Sequence, residues 1–234
     1  MFRRAEFKKA AKARLKGRWK IPVLSTLLLL LIVNVFVIAM GMIFPDKIRM
    51  NMSAGAGSFN YGIHADTAPA IYSVFVCLVA TVFYFAQLIL LEKMFKSAEP
   101  VFFEDFTDAL GQWFRAVRAM VWKMLWIWLW SLLFVIPGII KRYSYSMMFF
   151  VMAEHPNLGV VKAMNISKEL TRGYKGELFM TDLSFILYFI LGVLSMGIGF
   201  LWIVPYYQAT YTCIYHELKE IALKSARVKA EDFE

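Results

Sequence analysis

Ile21–Pro45 reads IPVLSTLLLLLIVNVFVIAMGMIFP, 25 residues without a charge. Coiled into a helix at about 1.5 Å per residue, it covers a hydrocarbon core of roughly 30 Å. A signal-peptide core is shorter, about 7–15 residues. The stretch therefore reads as a membrane span. A second uncharged run of the same length, Thr67–Leu91, follows it.

Composition agrees. Hydrophobic residues make up 60% of the 234 and charged residues 18%, against about 45–50% and 25% in soluble domains. Working outward, further spans are expected at 119–136, 137–154, 178–196 and 199–218. Pro137-Gly138 breaks the third apolar run, and proline is tolerated in the first turn of the helix that restarts there. Gly197-Ile198-Gly199 supplies the last turn, and Pro205 bends span six. Asp182 falls in the first turn of span five, where a carboxylate reaches water and suits a helix N-terminus.

Three stretches outside the spans have helical amphipathicity. In 1–20, Phe7, Ala11, Leu15 and Trp19 recur every four residues. In 102–118 the stripe is Phe103, Phe106, Leu110, Trp113 and Val117. In 158–172 it is Val160, Ala163, Met164, Ser167 and Leu170, with Gly173 placed to end the helix. The expected fold is all-α: one polytopic membrane domain over 1–234, with about six transmembrane helices, three interfacial helices and a cytoplasmic tail at 219–234. Each interfacial helix precedes a pair of spans, which suggests three repeated units. The loop at 46–66 is rich in small residues and reads as flexible.

Net charge is +9, of which +8 lies in residues 1–20. A basic block beside a span points to anionic headgroups, through Arg3, Arg4, Lys8, Lys9, Lys12, Arg14, Lys16, Arg18 and Lys20. Nucleic acid, the competing partner of such a block, is not expected next to a membrane span. With the N-terminus in the cytoplasm, 22 lysines and arginines fall inside and four, Lys47, Arg49, Lys141 and Arg142, fall outside. The positive-inside rule thus predicts a multi-pass protein of the cell membrane with both termini cytoplasmic.

Catalytic motifs are absent from the sequence. His64, His155 and His216 lie on separate segments, and His216-Glu217 is followed at position 220 by Glu rather than the His of a zinc-protease helix. Cys77 and Cys213 lie in apolar runs and have no metal spacing. No cofactor or metal is expected. The intramembrane polar candidates are Asn34, Gln87, Gln208, Tyr207 and Tyr211.

The run Ile136-Pro137-Gly138-Ile139-Ile140-Lys141-Arg142-Tyr143-Ser144-Tyr145 resembles a signature of the bacterial membrane family catalogued as domain of unknown function 975. Ser167-Lys168, Gly173-Tyr174-Lys175 and Gly197 through Pro205-Tyr206 resemble it too, as do Lys9-Ala10-Ala11-Lys12 and Leu15 through Trp19. The resemblance implies an integral membrane protein of Gram-positive type and assigns no catalytic residue. The leading expectation is a non-enzymatic protein acting through lipid or protein contacts, with a membrane-protein partner or a second copy of itself. The alternative is a small transporter or transporter subunit, and a weaker one is a lipid-modifying membrane enzyme.

Overall fold

The computed structural model describes residues 4–43, 50–55, 58–63, 67–97, 101–133 and 135–233. The described residues are helical apart from one small hairpin and the connecting turns. Helix α1 (Arg4–Leu15) leads into α2 (Lys20–Ile43), strands β1 (Met50–Gly55) and β2 (Ser58–Ile63), and α3 (Thr67–Lys96). Then come α4 (Phe103–Leu110), α5 (Trp113–Leu133), α6 (Val135–Ser144), α7 (Met148–Glu154) and α8 (Val160–Leu170). Helices α9 (Lys175–Leu194) and α10 (Phe200–Lys224) complete the bundle. Helix α10 is the hub, touching α1, α2, α3, α8 and α9.

Three described helices are long and apolar enough to cross a membrane: Lys20–Ala39, Ser73–Lys96 and Lys175–Leu194. Their outward faces are apolar; Leu31, Val35 and Ile38 on α2 and Leu187, Val193 and Leu194 on α9 are exposed. A bilayer is the solvent that suits such a surface. Helices α5 and α10 have spanning length, about 32 and 38 Å at 1.5 Å per residue, but are less apolar.

The fourth expected span is not one helix. Residues 137–154 divide between α6 and α7. Near the break, Ser144 Oγ donates to Ile140 O and Ser146 Oγ to Tyr143 O, at 2.9 and 2.8 Å. Hydroxyls that bond the preceding turn in this way compete with the helical ladder. Pro137 stands in the first turn of α6. Beside it, a Cβ on Gly138 would come within 2.2 Å of Ser131 Oγ, so this glycine lets α6 fold back tightly on α5.

The expected interfacial helices also differ. The 102–118 segment divides into α4 and the start of α5, the chain turning at Gly111-Gln112, where Gln112 N reaches Ala109 O. Helix α8 is a core element: Val160, Ala163, Met164, Ser167 and Leu170 are all buried. In α1, Ala11 and Leu15 have no exposure and lie with Leu91, Met94, Ala209 and Cys213. The stripe expected at the membrane interface docks on α3 and α10 instead.

Of the 46–66 loop, β1 and β2 pair antiparallel from Met50↔Ile63 to Gly55↔Ser58, so its described part has more order than its small residues suggested. Nor is 219–234 a free tail. Helix α10 runs on to Lys224, Val228 and Phe233 are buried, and Arg227 Nη1 donates to Arg172 O at 2.9 Å. The proposed repeat has partial support in the backbone. Gly17 and Gly173 both take left-handed φ, +79° and +87°, but the middle unit's Gly111 is right-handed at −56°.

Candidate functional sites in the helix bundle

Two clusters built around carboxylates stand out among the described residues. The first centres on Asp182. Helix α9 begins at Lys175, so Asp182 stands about two turns in rather than in the first turn. Tyr143 Oη on α6 donates to its Oδ2 at 2.9 Å, and Tyr207 Oη on α10 donates to Oδ1 at 2.8 Å. Tyr211, one turn further along α10, also donates to Oδ1. A carboxylate has lone pairs enough for three donors. The cluster joins α6, α9 and α10 through one acceptor.

The second cluster lies where α3, α7 and α10 end together. Glu154 accepts from Tyr215 Oη at 2.5 Å and Lys219 Nζ at 2.6 Å, and Lys96 Nζ is 3.4 Å from its other oxygen. Glu92 is nearly sealed, its side chain 4% exposed, and His216 Nε2 lies 3.1 Å from its Oε2. Neither Glu92 oxygen accepts a hydrogen bond from the described residues. One ligand atom each from Glu92, Glu154 and His216 lie within 4.8 Å of one another. Beside them, the His155 ring is 4.9 Å from that of Phe233, and burial, followed by the nearby Lys219 charge, lowers its pKa.

The basic helix is partly committed to this same end of the bundle. Arg14 donates to Phe95 O, and Arg18 to Met94 O and Ser97 O, at 3.2–3.3 Å. These bonds satisfy terminal carbonyls of α3 and place cations at its negative end. Lys8 donates to Ser184 O and lies 4.2 Å over the Phe185 ring, while Arg4 faces Glu177 at 3.8 Å. Burial, then the Arg4 charge, lowers the Lys8 pKa. Lys9, Lys12, Lys16 and Lys20 are exposed. Arg3 lies outside the described residues.

Among the intramembrane candidates, Tyr207 and Tyr211 meet at Asp182. Gln87 ties α3 to α2 through Ser25 Oγ at 2.6 Å and Thr26 Oγ1 at 2.8 Å. Gln208 is buried and its Oε1 accepts no bond from the described residues. Asn34 is exposed and bonds Leu30 O on its own helix. Of the signature positions, Ser167 Oγ caps Ser144 O at 2.8 Å. Pro205 is buried within α10, and Tyr206 Oη reaches Lys8 O at 3.4 Å.

Sequence reading missed Asp182, Glu92, Glu154 and Lys219 as members of these clusters. Only Asp182 carried a local signal: a carboxylate on one helix and tyrosines at i and i+4 on the next.

A groove of about 540 Å³ lies at the same end, lined by Arg118, Trp122, Gly159, Val160, Val161 and Lys162. Trp122 Nε1 has no hydrogen-bond partner among the described residues.

A family model described as a protein of unknown function (DUF975) matches residues 70–222. No curated protein and no solved structure matches the chain.

Proposed function

The chain belongs to the DUF975 family, and we propose that it is a non-enzymatic protein of the bacterial cytoplasmic membrane that acts by holding anionic lipid headgroups. One observation carries this reading: exposed cations gather at one end of a helical body whose spanning helices present apolar outward faces. Lys9 and Lys12 lie on α1, Lys16 follows it and Lys20 opens α2, and Arg118 and Lys162 line the groove between α5 and α8. Each cation near an anionic surface contributes about 1 kcal/mol.

In this reading the chain makes six crossings as three hairpins, α2 with α3, α5 with α6–α7, and α9 with α10. Every hairpin starts and ends on the cytoplasmic side.

Native mass spectrometry of the full chain from mixed phosphatidylglycerol and phosphatidylcholine tests the reading. Preferential retention of phosphatidylglycerol is expected, reduced in Arg118→Gln/Lys162→Gln and reduced further when Lys9, Lys12, Lys16 and Lys20 are also changed to Gln. Equal retention of both lipids by the wild type contradicts it.

A second reading, a small transporter or transporter subunit, draws on Asp182. Sequence offered no deep ionisable group, whereas an intramembrane carboxylate ringed by phenols is the kind of residue that marks solute or proton paths. Solute uptake that Asp182→Asn abolishes without loss of folded protein favours this reading over the first.

A further inference from the structure

We propose that Glu92, Glu154 and His216 form a binding site for a divalent transition-metal ion of the Zn²⁺ class. The three residues come from three helices, α3, α7 and α10, and are separated by up to 124 positions in the chain. Their ligand atoms nevertheless fall within 4.8 Å of one another. Ligands of a tetrahedral ion at about 2.1 Å stand about 3.4 Å apart, so small side-chain rotations close the set.

The Glu92 carboxylate points independently to a cation. Its side chain is 4% exposed, and neither oxygen accepts a hydrogen bond from the described residues. Buried carboxylates are held by donors, paired charges or metals. His216 Nε2 lies 3.1 Å from its Oε2 and is itself without a hydrogen-bond partner among the described residues. A neutral imidazole nitrogen and two carboxylates form a borderline donor set that suits Zn²⁺ better than Mg²⁺ or Ca²⁺, which take oxygen ligands.

The surroundings fit an ion that enters and leaves. Lys219 bonds Glu154 Oε2, while Oε1 faces Lys96, whose side chain is 53% exposed and can swing into water. Glu154 can thus offer Oε1 to the metal and keep Lys219 on Oε2. The Tyr215 hydroxyl on Oε2 orients the carboxylate from behind, the outer-shell support that metal ligands commonly have. Phe95 stacks on the His216 ring at 5.7 Å, which fixes its plane.

The test uses the full chain in detergent, freed of any affinity tag and stripped with EDTA, then titrated with Zn²⁺ against a chromophoric chelator. One ion per chain is expected. Glu92→Gln and His216→Gln should weaken binding by more than the about 10–100-fold that loss of an outer-shell partner costs, while Glu220→Gln, an exposed carboxylate one turn away, leaves it unchanged. Zn²⁺ should also protect His216 of the wild type from diethyl pyrocarbonate, a readout that does not depend on the variants folding. No Zn²⁺ uptake by the wild type, full uptake by both ligand variants, or His216 modified equally with and without Zn²⁺ overturns the proposal.

Discussion

Replacing Asp182 with Ala is expected to lower the unfolding free energy by about 3 kcal/mol. It removes the single acceptor of three phenols on two helices. Hydrogen bonds to a charged group contribute about 1.5–3 kcal/mol each, and bonds that share one acceptor do not add. Asp182→Asn keeps a carbonyl oxygen and should lose only about 1 kcal/mol, like Tyr207→Phe, which removes one donor. Unfolding in detergent, followed by circular dichroism, ranks the variants. An Asp182→Ala protein as stable as the wild type shows that the phenols are satisfied without it.

The second large effect is expected at Leu15. This side chain has no exposure and lies between α3 and α10. Leu15→Asp buries a carboxylate with no designed partner, which costs several kcal/mol. The outcome expected is release of α1 from the bundle. Trypsin then reaches Arg4 through Arg18, and a shift of about 3 kcal/mol raises the population open to cleavage about 100-fold. Leu15→Ala, a pure truncation, costs about 2–5 kcal/mol and gives a milder version of the same pattern. An unchanged digestion pattern in Leu15→Asp means that α1 lies on lipid, where a polar substitution at its edge reaches the headgroups.

The comparison of these two sites shows what a single sequence reveals. Ile21–Pro45 and Thr67–Leu91 announce helices because twenty-five uncharged residues have one economical solution in a bilayer. The α1 stripe was equally legible as periodicity, but periodicity does not say whether its apolar face meets lipid or protein. Ala11 gave the hint, since a small residue between Phe7 and Leu15 favours close helix packing over membrane insertion. The same signal lay in Ala163 and Ser167 of α8, which proved to be core.

Helix breaks were harder to read. Pro137 was visible, whereas the turn at Tyr145–Met147 depends on hydroxyls bonding the preceding backbone. The Asp182 cluster was half legible. Tyr207 and Tyr211 fall on one face of α10, but placing Asp182 in the first turn of its helix sent its carboxylate to water. Starting α9 three residues earlier, at Lys175, reverses that conclusion. Glu92, Glu154 and His216 left no local trace, because their proximity depends on how α3, α7 and α10 converge.

The topology proposed above is a membrane body of hairpins that return to one side, with the basic helix docked at that side. Its most direct test is site-specific labelling of single cysteines, with Cys77 and Cys213 first changed to Ala. Lys9→Cys, Asn157→Cys and Ser225→Cys should react with an impermeant maleimide only after the cells are opened, while Ser53→Cys and Met196→Cys react in intact cells. Labelling of Lys9→Cys in intact cells, or of Asn157→Cys and Ser225→Cys from opposite sides, would contradict the account.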